Sequence, residues 1–346
     1  MQAEAGARGP IRLPPITATT VGSFPRPGWL ATREATEVVF SLSGEALREG
    51  QDDATQLAID DQERVGLDLV TDGEQRRVSF LFHVLAGLDG IDVNNRAPKD
   101  IRRRPGRQRP VPRVVGKVTR PGSILLEETR FARTHAERAL KMALPGPLSV
   151  VDTTFDEAYG DERALAMDLA AVLNAELLDL QAAGCDVLQI DEPAMTRYHE
   201  KVADYGAAAL DRCLDGITVP TIVHLCYGYP GTGDLQHEYQ YPELLDMLME
   251  TRIGGFSLEF ARSQYDPTIL RRCEGRLVMF GCVDPGDPQL EPEDLVVARI
   301  KRALEFVAPQ NLLVAPDCGL MTLSREAALG KAGLLVAAAA EARRSA

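Results

Sequence analysis

Short β-rich apolar runs alternate with longer helical stretches along almost the whole chain. The short runs contain β-branched and aromatic residues and are bounded by Gly, Pro or Asp, a pattern typical of buried strands. We predict strands at 17–24, 67–74, 146–152, 186–193, 221–228, 255–262, 277–284 and 312–319. Eight strand–helix units predict an α/β fold of the (β/α)8 TIM-barrel class, and a doubly wound parallel sheet is the structural alternative.

The clearest helix is predicted over residues 161–183. One face of this helix carries leucines that recur every three or four residues: Leu165, Leu169, Leu173, Leu177 and Leu180. Gly184 follows as a stop signal. A similar Ala/Leu-rich helix is predicted to close the chain after the sequence TLSREAAL.

Residues 92–113, DVNNRAPKDIRRRPGRQRPVPR, interrupt the alternation between the second and third predicted units. They carry eight basic side chains and four prolines, with little apolar periodicity. Because charge runs are commonly solvated, we interpret this excursion as a basic, Pro-rich surface loop that ends in an extra strand, RVVGKV. A clamp for an anionic substrate is the functional alternative.

Composition narrows the class of function. The 346 residues include 38 basic and 51 acidic side chains, a net charge of −13, which argues against nucleic acid as a partner. No apolar run reaches the roughly 20 residues of a membrane span, and MQAEAGARGPIRLPP lacks the apolar core of a signal peptide. We therefore expect one cytoplasmic catalytic domain over 1–346, with no membrane partner and with cysteines that are thiols or metal ligands.

Most of the predicted strands end in a polar or reactive residue, where a TIM barrel places its active site. These residues are Ser23, Glu74, Asp191, Glu192, His224, Cys226, Glu259, Asp284, Asp317 and Cys318. A single strand-end acid is commonly a helix cap, and a single cysteine in an apolar strand is commonly a small core residue. We give the core interpretation to Cys185, Cys213, Cys273 and Cys282.

His224 and Cys226 lie two apart in TIVHLCYGYP, so their side chains point to the same side of a strand. If Glu259 and Cys318 end neighbouring elements, one imidazole, two thiols and one carboxylate meet at the barrel mouth. That mixed set suits tetrahedral Zn²⁺. Ligands from several strands of a stable barrel are not needed for folding, so we interpret the metal as catalytic.

Six motifs occur in order along the chain: TTVGSFPRP, GLDLVTDGEQRR, LQIDEPAM, HLCYG, LEFARS and APDCGLMT. Together they closely resemble the C-terminal catalytic barrel of cobalamin-independent methionine synthase, from about residue 17 to the end. That family transfers a methyl group to the zinc-bound thiol of homocysteine. The resemblance therefore implies a zinc-dependent methyltransferase of methionine biosynthesis.

The resemblance also implies roles for matching positions. The zinc ligands would be His224, Cys226, Glu259 and Cys318. Ser23 of GSF, Glu74 of DGE and Asp191 of DEP would hold the amino and carboxyl ends of the thiol amino acid. The chemistry agrees, because a free thiol with a pKa of about 8.5 is mostly protonated at neutral pH and coordination to Zn²⁺ yields the thiolate.

Three features depart from the family on the side of the methyl donor. The chain matches only the catalytic half of the two-barrel enzyme, whose N-terminal barrel helps to bind polyglutamylated folate. Thr153 takes the place of a tryptophan that stacks on the pterin, and the one tryptophan, Trp29, lies elsewhere. Gly286 takes the place of the histidine proposed to protonate the leaving folate.

Three functions stay open from the sequence. The first is methyl transfer to homocysteine from a folate or a corrinoid, with a protein methyl carrier as a candidate partner. The second keeps the zinc-thiolate chemistry and uses another alkyl donor or thiol acceptor in a specialised pathway. The third, a non-catalytic zinc- or thiol-binding protein, is disfavoured by the polar residues at so many strand ends.

Overall fold

Eight parallel strands form a barrel in the computed structural model, which describes residues 13–34, 37–101, 108–227, 241–263 and 265–345. The strands are β1 Thr17–Ala18, β2 Leu69–Val70, β3 Ala139–Pro145, β4 Val187–Asp191, β5 Thr221–Leu225, β6 Gly255–Glu259, β7 Leu277–Val283 and β8 Leu312–Pro316. Their order in the sheet follows the chain from β2 to β8, with β1 beside β8. A parallel bridge between Thr19 and Leu69 joins β1 to β2. The predicted TIM barrel is confirmed, and the doubly wound sheet is wrong.

Helices follow the strands along the chain. They are α1 Gly44–Val65, α2 Leu126–His135, α3 Glu162–Ala182, α4 Ala207–Cys213, α5 Tyr241–Met249, α6 Glu293–Leu304 and α7 Arg325–Ser345. A 3₁₀-helix, Pro267–Cys273, stands between β6 and β7. Shorter turns of helix are Phe82–Leu85, Pro147–Asp152, His199–Lys201, Val202–Gly206 (a π-helix) and Pro309–Asn311 (3₁₀). Strands Ala31–Glu34 and Glu37–Phe40 pair antiparallel between β1 and α1.

The barrel interior changes from apolar to polar along the strands. Because strand side chains alternate between the two faces, every second residue points inward. One interior cluster is apolar and includes Leu69, Ala139, Val187, Ile222, Met279 and Leu313. The inward positions that follow on β3 to β6 are buried polar residues: Lys141, Gln189, Asp191, His224, Ser257 and Glu259. Polar groups therefore collect towards the carboxyl ends of the strands.

Seven of the eight predicted strands are confirmed, each within a shorter range, although residue 228 lies outside the described residues. The strand predicted at 146–152 is wrong, because Pro147–Asp152 is a helix and the third barrel strand is β3. Pro147 stands in the first turn of that helix, where proline is favoured since its missing N–H needs no partner. The sequence does not predict β3, because Lys141 interrupts the apolar run of this strand.

The two helix predictions hold. Helix α3 occupies almost the whole predicted range, and the Asp161 side chain caps it by accepting from the backbone N–H groups of Arg163 and Ala164. Gly184 has a φ of 91°, the left-handed conformation in which glycine commonly ends a helix. The C-terminal helix is α7. In the part of the chain that the structure describes, none of the helices combines the length and apolarity needed to cross a membrane.

The excursion lies between β2 and β3, as predicted, but its described part is not a loop. Strands Asp89–Asp100 and Gln108–Thr119 pair antiparallel, and we call this pair the β-ribbon. The predicted strand RVVGKV lies within the second of them, and Phe155–Asp156 adds a parallel third. Residues 102–107 lie outside the described residues.

Basic side chains of the β-ribbon contact the rest of the protein. Arg96 pairs with Glu37, and Arg113 pairs with Glu157. Lys99 Nζ donates to the carbonyl oxygens of Val151 (2.8 Å) and Thr154 (2.7 Å), at the end of the helix Pro147–Asp152. Among the residues described here, these contacts give no support to an anion clamp.

Candidate metal centre

The four predicted metal ligands lie together at the carboxyl ends of the strands. His224 is on β5, Cys226 follows it, Glu259 ends β6 and Cys318 follows β8. One candidate ligand atom from each lies within 4.8 Å of the others. The two sulfur atoms are 3.7 Å apart, and both cysteines are thiols. The cluster therefore brings the imidazole, two thiols and carboxylate into reach of one ion.

Two buried atoms of this cluster have no hydrogen-bond partner among the described residues: His224 Nε2 and Glu259 Oε2. Burial, together with Cys226, raises the pKa of the Glu259 carboxyl well above its ordinary value. A buried polar atom without a partner is costly, and a cation among these atoms would remove that cost. The donor set is one that Zn²⁺ accepts, so the residues fit a zinc ion.

Neighbouring groups orient two of the candidate ligands. His224 Nδ1 lies 2.8 Å from Ser257 Oγ, which leaves Nε2 for the cluster. Glu259 Oε1 accepts from the backbone N–H of Tyr227 at 3.0 Å, which leaves Oε2. Such second contacts fix ring and carboxylate orientation in metal sites. Sequence reasoning missed Ser257, although it stands two residues before Glu259 and therefore points to the same side of β6.

Asp317 anchors the backbone on both sides of the cluster. Its carboxylate accepts from the backbone N–H groups of residues 260–262 at 2.9–3.0 Å, and it directly precedes Cys318. Burial raises the pKa of Asp317 to about 7. A Cβ at Gly281 would collide with Asp317 Oδ1, so glycine is needed for this close approach. Asp317 therefore holds the Cys318 loop against the segment that follows Glu259.

Glu192 has a similar anchoring role. Its carboxylate accepts from the backbone N–H groups of Leu148 and Ser149 and from Ser149 Oγ, at 2.7–2.9 Å. Burial raises the pKa of Glu192 to about 7. These contacts tie the end of β4 to the first turn of the helix Pro147–Asp152. Glu192 and Asp317 are therefore strand-end acids that each hold a neighbouring segment of backbone through several hydrogen bonds.

The three residues predicted to hold a thiol amino acid are buried at the ends of β1, β2 and β4. Asp191 is paired in register with His224 across β4 and β5. The Ser23 carbonyl accepts from the backbone N–H of Leu320 at 2.9 Å, and a Cβ at Gly319 would collide with Ser23 Oγ. Ser23 and Asp191 therefore each adjoin an element that carries a candidate metal ligand.

Glu74 and Asp191 form a second acidic group beside the cluster. Burial raises the pKa of both carboxyls, and the charge of Asp191 raises the pKa of Glu74 further. Glu74 has a φ of 56°, a left-handed conformation, and its Oε1 lies 3.5 Å from the buried guanidinium of Arg77. Buried carboxyls that lie near one another favour a neighbouring cation, such as the Arg77 guanidinium beside Glu74 or a bound ammonium group.

Two further buried residues were missed from the sequence. Lys141 and Gln189 occupy inward positions on β3 and β4, and Lys141 Nζ lies 2.5 Å from Gln189 Oε1. Burial lowers the pKa of Lys141 to about 7, although the negative charges of Asp191 and Glu74 oppose the shift. Their alternation with apolar residues is the only sequence signal, and it is visible only once the strand is known.

The remaining cysteines are buried in the core, as predicted: Cys185, Cys213, Cys273 and Cys282. Thr153 follows the helix Pro147–Asp152, and its hydroxyl donates to the Ser149 carbonyl at 2.5 Å. Gly286 is exposed in the turn after β7, where its N–H donates to Asp284 Oδ1 at 2.7 Å. Trp29 is half exposed.

A TIM barrel with candidate metal ligands and buried acids at the carboxyl ends of its strands belongs to the class of barrel enzymes that place their chemistry at this face. Residues 16–341 match the family model described as cobalamin-independent synthase, catalytic domain. The chain therefore belongs to the cobalamin-independent methionine synthase family, and the resemblance seen in its motifs is confirmed.

Individual relatives agree with this assignment. The methionine synthase of Pyrococcus abyssi is 30% identical over 323 residues, 93% of this chain and 91% of that protein. That of Sulfurisphaera tokodaii is 32% identical over 324 residues, 92% and 90% respectively. A similar solved structure is that of a B12-independent methionine synthase from Shewanella sp. W3-18-1 in complex with selenomethionine. Its TM-score to this chain is 0.91 and its sequence identity is 35%. The match covers 96% of this chain and 98% of that one.

These coverages show that the matched relatives are about as long as this chain. Proteins described as methionine synthases can therefore be as short as this chain. The match to only the catalytic half of the two-barrel enzyme does not set the chain apart from them.

Proposed function

We propose that this protein transfers a methyl group to the thiol of homocysteine, giving methionine, and that it depends on zinc. The observation that carries the proposal is the cluster of His224, Cys226, Glu259 and Cys318, whose candidate ligand atoms lie within 4.8 Å and include two buried atoms without partners in the described chain. The family to which the chain belongs supports it.

Zinc bound by these four residues would supply Lewis acidity that keeps the substrate sulfur deprotonated at neutral pH. The chain's own contribution is to hold the ligands in place. Ser257 fixes the imidazole ring of His224, the Tyr227 N–H fixes the carboxylate of Glu259, and Asp317 holds the backbone beside Cys318.

The buried acids beside the cluster would hold the amino-acid end of the substrate. Burial raises the pKa of Asp191 and of Glu74, and a bound α-ammonium group would favour the ionised form of both carboxyls. The Ser23 hydroxyl and the backbone N–H groups of Gly22 and Ser23 would take the carboxylate, since the Phe24 N–H donates to the Gly73 carbonyl. Because Asp191 is in register with His224, the thiol at the other end of the substrate would face the cluster.

The proposed reaction is an in-line displacement at carbon. The sulfur lone pair forms the new S–C bond, the bond between the methyl group and the donor breaks, and the donor leaves with that electron pair. Such a step is accelerated mainly by positioning of the two reactants. A folate donor leaves as an amine and needs a proton, whereas a corrinoid donor does not.

The donor side favours a second candidate, in which the same thiol chemistry uses an activated alkyl donor. Gly286 cannot deliver a proton, and the Thr153 hydroxyl cannot replace an aromatic ring that stacks on a pterin. A corrinoid-bound methyl group, free or on a protein carrier, is the donor that we propose reacts faster than methyltetrahydrofolate. The proposal fits a cytoplasmic protein with one catalytic domain, since thiols stay reduced there.

Turnover with alternative donors tests this proposal. Zinc-loaded protein and saturating homocysteine would be incubated with methyltetrahydrofolate or with methylcobalamin, and methionine would be measured by mass spectrometry. Methionine formation with a larger kcat/KM for methylcobalamin is expected. A larger value for the folate would contradict the donor assignment. Binding of homocysteine without methionine from either donor would favour another alkyl donor or a non-catalytic thiol-binding role.

A further inference from the structure

A lysine ammonium lies inside the barrel, one layer below the residues of the candidate site. Lys141 on β3 is fully buried. Its Nζ donates to the carbonyl oxygens of Thr20 (2.7 Å) and Val21 (2.9 Å) and to Gln189 Oε1 (2.5 Å). The three oxygen acceptors match the three N–H groups of an ammonium, the form that Lys141 takes below its lowered pKa of about 7.

The contact with Lys141 determines which way the Gln189 amide points. A lysine ammonium has only donors, so the amide oxygen of Gln189 must face it. The amide Nε2 of Gln189 consequently faces Asp191, the next inward residue on β4, and donates to its Oδ1 at 2.8 Å. A hydrogen bond donated to a carboxylate oxygen favours the ionised acid and fixes its plane. Asp191 Oδ2 is left to face a ligand.

We propose that Lys141 is a positioning residue that acts through Gln189 on Asp191 and so makes the site selective for thiols that carry an α-ammonium group. This inference rests on the proposed function, because it assumes that Asp191 contacts the substrate ammonium. The ligand class is a thiol amino acid, as opposed to a simple thiol acid of the same length.

The surroundings of Lys141 make a purely space-filling role a poor explanation. The same barrel interior contains an apolar cluster with Ala139, Val187 and Met279. A methionine would fill a similar volume at position 141 without the cost of burying a charge. What a methionine could not do is to fix the orientation of the Gln189 amide.

Binding measurements on the zinc-loaded full chain separate the two roles. Calorimetry at about pH 6, where the Lys141 side chain is mostly charged, would give the dissociation constants of homocysteine and of 4-mercaptobutanoate, which has the same thiol and carboxylate but no amino group. For Lys141→Met we expect homocysteine to bind about tenfold more weakly, the size of one charge-assisted hydrogen bond. The dissociation constant of 4-mercaptobutanoate and the zinc content should be unchanged.

A double-mutant cycle adds a readout that a structural role would not produce. In an Asp191→Asn background, Lys141→Met should cost almost nothing further, because the group through which it acts has lost its charge. The matched control is Lys331→Met, which removes another buried lysine whose Nζ bonds to Gln289 O and Glu291. That control should leave both dissociation constants at the wild-type values.

Gln189→Glu is the second variant, and it decides the question if Lys141→Met fails to fold. It keeps an acceptor for Lys141 but replaces the N–H donor that faces Asp191, so it should also lose the selectivity for homocysteine. Equal weakening of both ligands, or additive effects in the cycle, would overturn the inference while leaving the proposed function intact. Failure of the wild-type protein to bind homocysteine would contradict the proposed function and the inference with it.

Discussion

Cys318 is the one candidate metal ligand that is partly exposed, and it belongs to a loop held by Asp317. Cys318→Ser replaces a soft thiolate ligand with a hydroxyl, so we expect zinc content and methionine formation to be lost. The barrel should remain folded, because its core is formed by apolar side chains that do not depend on the metal. Metal analysis, activity and circular dichroism check this. The matched control is Cys273→Ser, in a buried cysteine remote from the cluster, which should keep its zinc.

Asp191→Asn keeps the shape of the side chain and removes its charge. If Asp191 binds the substrate ammonium, the free energy of homocysteine binding should become less favourable by about 1.5–3 kcal/mol, the range for hydrogen bonds to charged groups. Zinc content should not change, since Asp191 is not one of the candidate ligands. Calorimetry that found wild-type affinity would show that the assigned pose is incorrect.

Lys141 also predicts how stability depends on pH. Burial lowers its folded-state pKa from 10.5 to about 7, opposed by the charges of Asp191 and Glu74; the neighbouring Cys185 thiol has a pKa raised to about 12 by burial and stays neutral. Between pH 7 and 10.5 the unfolded chain therefore holds this proton more tightly, so the contribution of Lys141 to stability rises with pH.

Lys141→Met abolishes that contribution. The free energy of unfolding of the wild type minus that of the variant should increase by roughly 1.4 kcal/mol per pH unit from pH 7.5 to 9. Denaturant titrations at several pH values measure the difference. A difference that stays constant across this range would mean that the folded-state pKa of Lys141 is close to its ordinary value.

At the residue scale, site residues that belong to short sequence motifs could be predicted. Site residues whose role depends on strand register could not. The grouping of His224 with Cys226 could be predicted from their spacing, and that of Glu259 and Cys318 with them from the family motifs. Ser257, Lys141 and Gln189 could not, because a Ser, Lys or Gln is common everywhere and its role depends on which side of a strand it faces.

At the scale of elements, the β-ribbon is fastened to the helix Pro147–Asp152 by Lys99. Lys99→Met removes two hydrogen bonds from an ammonium to backbone carbonyls. Since Lys99 is only partly buried, we expect the free energy of unfolding to fall by about 1–2 kcal/mol, at the lower end of the range for charged hydrogen bonds. Urea denaturation measures this loss.

Arg109→Met, on an exposed position of the same ribbon, is the matched control and should change the free energy of unfolding by less than about 0.5 kcal/mol. Equal effects of the two substitutions would contradict the anchoring role of Lys99.

Most strands and helices could be predicted because their buried positions carry apolar residues in a regular pattern. Strands such as β7 (LVMFGCV) and β8 (LLVAP) are almost wholly buried and give continuous apolar runs, which the sequence reveals directly. β3 was missed since its buried lysine resembles a surface residue, and the helix Pro147–Asp152 was mistaken for a strand since its apolar run is short. The β-ribbon was interpreted as a loop because its many charges form specific pairs that composition cannot reveal.

At the scale of the whole molecule, eight alternating units predicted the barrel, and six motifs in order predicted the family. Barrel topology places distant motifs together, since the carboxyl ends of all eight strands share one face. The donor is not encoded in that geometry, because the residues that would grip it follow the strands in loops whose paths periodicity does not define.

X-ray absorption at the zinc edge tests the central claim most directly, because it counts the sulfur neighbours of the metal. Zinc-loaded protein should show two sulfur neighbours, from Cys226 and Cys318. Homocysteine should add a third, and homoserine, which has a hydroxyl in place of the thiol, should add none. A sulfur count that stays at two when homocysteine is saturating would contradict the account.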